Sequence, residues 1–191
     1  MIDKDILQAC IRRDEKACKT LYFKLYNLLM SVSMRYQRNE IDAKDCVNVT
    51  FIKVIDGLSE IDLNRPIEGW VRRICINENI DQYRKYKKHN ESLNIDNPET
   101  VSMPQITVES EAFEQMLSYE DVLDMVKKLP DTTSKVFNLY VIDGYKHREI
   151  AELLDISEGT SRWHLSYARQ SLKETISEEI KRHKMIIYGK E

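Results

Sequence analysis

Between Ser157 and Arg169 the chain sets cations, hydroxyls and aromatic rings at helical spacing: Ser157, Thr160, Arg162, Trp163, His164, Ser166, Tyr167 and Arg169. At about 100° per residue, Leu165, Ala168 and Leu172 fall on one side, towards a core. Arg162, Trp163, Ser166 and Tyr167 fall on the other, with His164 on the flank of that outward face. Guanidinium forks and hydroxyls reach base edges and phosphates in a major groove, so the chemistry indicated is nucleic-acid readout. The competing reading is a solvated polar face, but an exposed Trp beside an exposed Tyr is an uncommon way to build one. A second stripe, Trp70, Arg73, Asn77, Asp81, Arg84 and Lys88, recurs at three-, four- and seven-residue steps. At ~1.5 Å per residue it runs about 27 Å, under one turn of duplex. Its cations suit phosphates and Asn77 suits a base edge. Trp70 suits core packing or base stacking, with packing expected, and Asp81 is placed to pair with Arg84.

Residues for other chemistries are missing. The histidines and the cysteines Cys10, Cys18, Cys46 and Cys75 show no HExxH, CxxC or paired-ligand spacing, and no nucleophile or phosphate-loop motif occurs. A catalytic residue, a metal and a cofactor are therefore not expected, and the chain is read as a non-enzyme. The cysteines are read as reduced thiols of a cytoplasmic protein.

The elements that must position these residues are helical. Gly and Pro are scarce, at 5 and 4, too few for an all-β fold. Leu21, Leu25, Leu28, Val32 and Tyr36 form one apolar stripe. Asp42 stands in the first turn of a second helix carrying Val47, Phe51, Val54 and Ile55, which Gly57 stops. A loop through Asp62, Leu63, Asn64 and Arg65 leads to a long charged helix of about Pro66 to Lys88. Apolar periodicity lapses over His89 to about Ser110 and returns at Glu111, with Phe113, Met116, Leu117, Val122, Leu123 and Val126, to end at Leu129-Pro130. Shorter helices fit about Thr132–Ile142, Lys146–Leu154 and Gly159–Lys184. Ala151 is the small residue at a close helix crossing, Ile156 an apolar plug in the turn and Ser157 an N-cap, the layout of a helix-turn-helix. The fold class expected is all-α, with two small domains.

Charge follows the same division. The chain carries −3 overall, yet Glu91 to Asp124 holds nine acidic residues and no Lys or Arg, so the remainder is net +6. Such segregation allows a polyanionic partner despite the acidic sum. No run of about 18 apolar residues offers a membrane span, and Met1 to Arg13 lacks the apolar centre of a secretory signal.

The segment from Gly144 resembles the promoter-reading C-terminal domain of extracytoplasmic-function sigma factors of bacterial RNA polymerase. Leu129-Pro130, Val136-Phe137, Gly144-Tyr145, His147, Glu149-Ile150-Ala151, Ile156-Ser157-Glu158-Gly159-Thr160 and Ala168-Arg169 carry the likeness. Lys146, Asp155, Ser134 and Tyr167 depart from it, standing where Ser, Gly, Arg and Arg are usual. Phe23-Lys24-Leu25-Tyr26, Arg35-Tyr36, Asn39, Asp42-Ala43-Lys44-Asp45 and Phe51-Ile52-Lys53-Val54 resemble the family's polymerase-docking block. Trp70 to Asn77, Ile80-Asp81 and Arg84-Lys85 resemble its promoter-melting block. Asn48-Val49 replaces the usual Gln-Glu.

The resemblance implies an N-terminal domain over 1–89, an acidic linker over 90–110 and a helix-turn-helix domain over 111–191. It places polymerase contacts at Asp42, Asp45, Asn48 and Phe51, and downstream-element contacts at Asn64, Arg65, Arg73, Asn77, Asp81, Arg84 and Lys88. Upstream-element contacts fall on the Ser157 to Arg169 set. The loop at Leu63 to Arg65 would receive a flipped base, and the linker would thread the polymerase cleft. Core RNA polymerase and promoter DNA are the implied partners, and an anti-sigma factor is compatible with the family. A stand-alone helix-turn-helix regulator is the alternative, against which the Trp70–Lys88 block argues.

Overall fold

The computed structural model describes residues 2–91 and 119–188, with side chains over 2–88 and 121–179. The acidic linker lies outside the described residues except for its first two positions, which extend a helix. The apolar positions Phe113, Met116 and Leu117 also lie outside them. Two compact units, Met1–Ile95 and Asp96–Glu191, divide the chain, and every regular element among the described residues is helical. None of these helices is long and apolar enough to cross a membrane.

The first unit is a helical bundle of α1 (Lys4–Ile11), α2 (Glu15–Tyr36), α3 (Glu40–Gly57) and α4 (Glu68–Glu91), with a 3₁₀ turn at Leu58–Glu60. Each of the first three begins at an acid or amide cap. Asp3 accepts the N–H of Asp5, Asp14 that of Ala17, and Asn39 that of Asp42, satisfying donors that a first turn leaves orphaned. Helix α1 was not anticipated from the sequence, since only Leu7 and Cys10 on it are buried and two apolar positions make no periodic signal. On α2 the core stripe is Leu21, Leu25, Leu29, Val32 and Tyr36. Leu29 therefore replaces the expected Leu28, because steps of four, four, three and four residues keep one face turned inward.

Helix α3 ends at Gly57 as expected, with the glycine at an ordinary right-handed φ of −87° and the chain running on into the 3₁₀ turn. The smallness of Gly57 serves packing. A Cβ placed there would lie 2.9 Å from Cζ2 of Trp70, so the indole of α4 rests against the bare backbone of α3. Trp70 is thus a packing residue, as expected, though half-buried.

The second unit holds α5 (Tyr119–Lys127), α6 (Asp131–Phe137), α7 (His147–Leu154) and α8 (Glu158–Tyr188). The single helix expected over Thr132–Ile142 is divided: α6 ends at Phe137 and a π-helical turn occupies Asn138–Ile142. The wider turn is closed by Asp143 N–H donating to the Asn138 carbonyl at 3.0 Å, and Gly144 at φ +76° then reverses the chain. Val136, Leu139, Ile150, Leu154, Leu165, Ala168 and Leu172 fill the core.

Gly57→Ala is expected to force the Trp70 ring from its seat and lower stability by about 1 kcal/mol, the overpacking cost outweighing the gain in helix propensity. Urea unfolding of the full chain, with indole emission as a second signal, checks this; an unchanged midpoint would remove the packing role assigned to Gly57.

Candidate nucleic-acid interface

The turn between α7 and α8 is built from backbone conformation first. Asp155 takes φ 54°, ψ 53°, the left-handed conformation in which glycine is strain-free. Here an aspartate bears it, and Ile156 N–H still closes the turn on the Ala151 carbonyl at 3.1 Å. Ser157 then caps α8 as expected, its Oγ accepting the Thr160 N–H at 3.0 Å and lying 2.8 Å from the Thr160 hydroxyl. At the opposite end of α7, the Glu149 carboxylate accepts the Lys146 N–H at 2.8 Å.

His147 clamps the motif. Its Nδ1 lies 2.9 Å from Oγ of fully buried Ser161 on α8, and its ring stacks on Tyr140 of the π turn at 4.5 Å. Burial, followed by the nearby Arg162 guanidinium, pushes the imidazole below its ordinary pKa of 6.5. Sequence reasoning listed His147 within the motif but missed the clamp, because the π turn that delivers Tyr140 has no local signature.

The outward face of α8 largely follows the helical wheel. Arg162, Ser166 and Arg169 are exposed, as are Ser157 and Thr160. Trp163 and Tyr167 are half-buried and stack on each other, with centroids 5.3 Å apart and planes 13° from parallel. Arg162 donates to Glu158 one turn earlier at 3.0 Å. His164 corrects the expectation. It is 5% exposed, with Nδ1 2.9 Å from Oγ1 of buried Thr133 on α6, so it belongs to the core and not to the DNA-side flank. Its angular position, next to Ala168 on the wheel, already leaned inward.

In the first unit, α4 buries Val71, Cys75, Ile76, Asn79, Ile80 and Tyr83 and turns the other stripe outward. Arg73, Asn77 and Lys88 are exposed, and Asp81 and Arg84 half-buried. The expected Asp81–Arg84 pair is replaced by one across helices, Asp81 Oδ2 lying 4.0 Å from Lys53 Nζ on α3. Lys53 also bonds to Glu78, a carboxylate 4% exposed, and this contact chiefly holds the lysine pKa above its ordinary value. A chain of amides continues inward. Gln82 donates to Glu78 at 3.3 Å, Gln37 to Gln82 and Asn79 at 3.1 and 3.0 Å, and Asn79 to the Cys75 carbonyl at 2.8 Å.

The loop before α4 is shaped by Asp62, whose Oδ1 accepts both the N–H and the side-chain amide of Asn64 at 3.0 and 2.8 Å. These bonds hold its carboxyl below the usual range. Asn64 and Arg65 are exposed there, and Asn64 Oδ1 accepts Lys4 Nζ of α1 at 2.8 Å. On α3, Asp42, Asp45 and Asn48 are exposed. Asn48 Oδ1 accepts the Tyr22 hydroxyl at 3.0 Å, and half-buried Phe51 meets the Tyr22 ring edge-on at 5.0 Å. Around Asp45 and Asn48 the same side of the helix shows Ile41 (74% exposed), Val49 and Ile52 (61%). Sequence reasoning missed this apolar group, although these positions fall off the core face of the α3 wheel.

Comparison with known proteins follows this division. Residues 21–89 match the family model for Sigma-70 region 2 and residues 119–172 that for Sigma-70 region 4. The chain belongs to the Sigma-70 family of sigma factors. It is 28% identical over 163 residues to the ECF RNA polymerase sigma factor SigW of Bacillus subtilis, covering 80% of this chain and 83% of that one. It is 25% identical to the ECF RNA polymerase sigma-E factor of Haemophilus influenzae, covering 92% and 96%. Among solved structures, the sigma factor RpoE with the anti-sigma factor NepR from Bartonella quintana matches at 18% identity and a TM-score of 0.49, covering 83% and 96%. This sigma factor directs promoter-specific transcription as an alternative subunit of RNA polymerase. A stand-alone regulator is not favoured, because its output motif would leave the region 2 match without a use.

The His147 clamp makes the helix-turn-helix of this sigma factor sensitive to acid. A depressed pKa means the folded state binds the proton less readily than the unfolded chain. Stability is therefore full above pH 6.5 and falls as the pH drops below it, until the folded-state value is passed. Thermal unfolding between about pH 5 and 7.5 is expected to show a downward limb on acidification that His147→Gln flattens; equal slopes in both proteins would remove the clamp's titration.

Proposed function

We propose that this sigma factor divides promoter reading between its two units, with α8 reading the upstream element and α4 with its preceding loop handling the downstream one. The observation that carries the reading is the capped turn at Ser157 with Arg162, Ser166 and Arg169 exposed just beyond it. Arg162 reads a base edge, its exposed pair with Glu158 giving way to a bidentate contact. Ser157, Thr160 and Arg169 hold phosphates, and the Trp163–Tyr167 stack supplies a rigid apolar ledge for base edges or sugars. His164 supports this surface from within the core.

On the first unit, Arg73, Arg84 and Lys88 track phosphates of the opened strand, and Asn77 reads an edge. Asp81 keeps to Lys53 and orients α4. The Asp62-braced loop presents Asn64 and Arg65 to a displaced base, whose unstacking costs a few kcal/mol. Asp42, Asp45, Asn48 and Phe51, with exposed Ile41, Val49 and Ile52, form the docking face for core polymerase. An apolar centre edged by carboxylates suits a cationic partner surface. The protein acts in the cytoplasm by binding, and the chemistry of transcription belongs to the polymerase.

Arg162→Ala is expected to weaken promoter binding by about 1–3 kcal/mol at one upstream position and to relax specificity there. Binding to a set of single-base promoter variants measures it, and a uniform loss with a shallower salt slope would reassign Arg162 to phosphate contact. Arg84→Ala is expected to slow promoter opening by the reconstituted holoenzyme while core affinity is retained. Permanganate footprinting beside a core-binding titration separates the two, and an equal loss in both would contradict the division of labour.

A further inference from the structure

The hinge between α1 and α2 brings two cysteines together. Arg13 at φ 61° reverses the chain, Arg13 and Asp14 N–H close on the carbonyls of Cys10 and Ala9 at 2.9 and 3.1 Å, and Cys18 N–H bonds the Asp14 carbonyl at 2.9 Å. Cys10 and Cys18 thus stand one helical turn either side of Asp14, where the two helices pack against each other, and both are free thiols. Their exposures differ. Cys10 is fully buried, whereas Cys18 is half-buried and lines a surface hollow of about 250 Å³ with Arg13, Phe51, Ile52 and Ile55.

We propose that Cys10 and Cys18 are a reversible redox pair that closes to a disulfide when the free protein meets hydrogen peroxide. Cys18, reached through the hollow, is the peroxidatic thiol. Its thiolate attacks one peroxide oxygen, an S–O bond forms as the O–O bond breaks, and the departing hydroxide takes a proton to leave as water. Cys10 is the resolving thiol. It gives up its proton, its sulfur attacks that of Cys18, and the sulfenic hydroxyl leaves with that proton as a second water. The two thiols supply the two electrons that peroxide accepts. Burial, with Cys18 and Asp14 alongside, pushes the Cys10 thiol up to about 12, which keeps it protonated until its neighbour has been oxidised.

A second pair provides the internal comparison. Cys46 on α3 and Cys75 on α4 are also free thiols, but both are fully buried where the two helices pack, so peroxide has no path to them without opening the bundle. The chemistry proposed for the hinge requires no partner and does not rest on the transcription reading.

The test uses the reduced full-length chain, treated with hydrogen peroxide, quenched with N-ethylmaleimide and digested with trypsin without reduction. The expected product links peptide Asp5–Arg12 to peptide Ala17–Lys19, two hydrogens lighter than their sum, and dithiothreitol dissolves it. In Cys10→Ala the Cys18 sulfenic acid has no resolving partner, so its capture by dimedone and its sulfinic product are expected to rise about tenfold over the native chain. The native measurement stands even where the variant folds poorly. A Cys46–Cys75 link forming first, Cys18 over-oxidising equally fast with and without Cys10, or all thiols surviving the treatment would each overturn the proposal.

Discussion

A carboxylate taken out of water needs a cation, and the first unit is arranged around one such need. Glu78 on α4 is almost wholly buried and meets Lys53 of α3. Leaving the Glu78 carboxylate without its lysine would cost roughly 3–5 kcal/mol, whereas half-exposed Lys53 keeps its water either way, so the buried acid favours one register of α3 and α4. Apolar stripes alone tolerate sliding by a turn at moderate cost, because one aliphatic side chain replaces another. The amide chain from Gln82 through Gln37 to Asn79 adds α2 to the same arrangement, each link with a directional partner. The outward stripe from Arg73 to Lys88 then faces solvent as a consequence of which residues of α4 are fixed inward.

The second unit reaches comparable definition by backbone means. Asp155 in the left-handed region and Ser157 as cap set the direction of α8 as it leaves the turn. His147 and Ser161 tie the two helices across that turn, and Tyr140 reaches His147 only because the π turn rotates the chain after α6. A glycine at 155 would relieve the strain but widen the conformations open to the turn. The aspartate keeps the path narrower at a local cost.

Much of this was legible from residue types. Sparse Gly and Pro, apolar steps of three and four, a first-turn acid at Asp42 and a cap at Ser157 were enough for an all-helical chain with a helix-turn-helix near its C-terminal end, and the exposed sides of α4 and α8 followed from the wheel. What escaped depended on contacts distant in sequence. Helix α1 is held by Leu7 and Cys10 against α2, too few positions for periodicity. Asp81 chose Lys53 over its helical neighbour Arg84 because packing brings α3 alongside. His164 was drawn towards the DNA side by its polar type, while a buried hydroxyl, Thr133, satisfies it in the core.

The remaining issue is how a chain of net charge −3 grips a polyanion without gripping all of it. Near the recognition helix, Arg162 pairs with Glu158 and Arg148 with Glu152, both exposed i,i+4 bridges. Exchanging such a carboxylate for a phosphate oxygen forfeits only about 0.3–0.5 kcal/mol, and the loss is the same on any DNA sequence. These pairs therefore lower occupancy everywhere and cannot create preference, since only a differential contact shifts one site against another. Preference has to come from groups that meet base edges in fixed positions, and on α8 the parallel Trp163–Tyr167 stack beside Arg162 is the part of the surface with that rigidity. A mobile guanidinium spreads its hydrogen bonds over several bases, whereas one held beside a stacked, half-buried aromatic pair, the position proposed here for Arg162 as a base reader, has few other places to go.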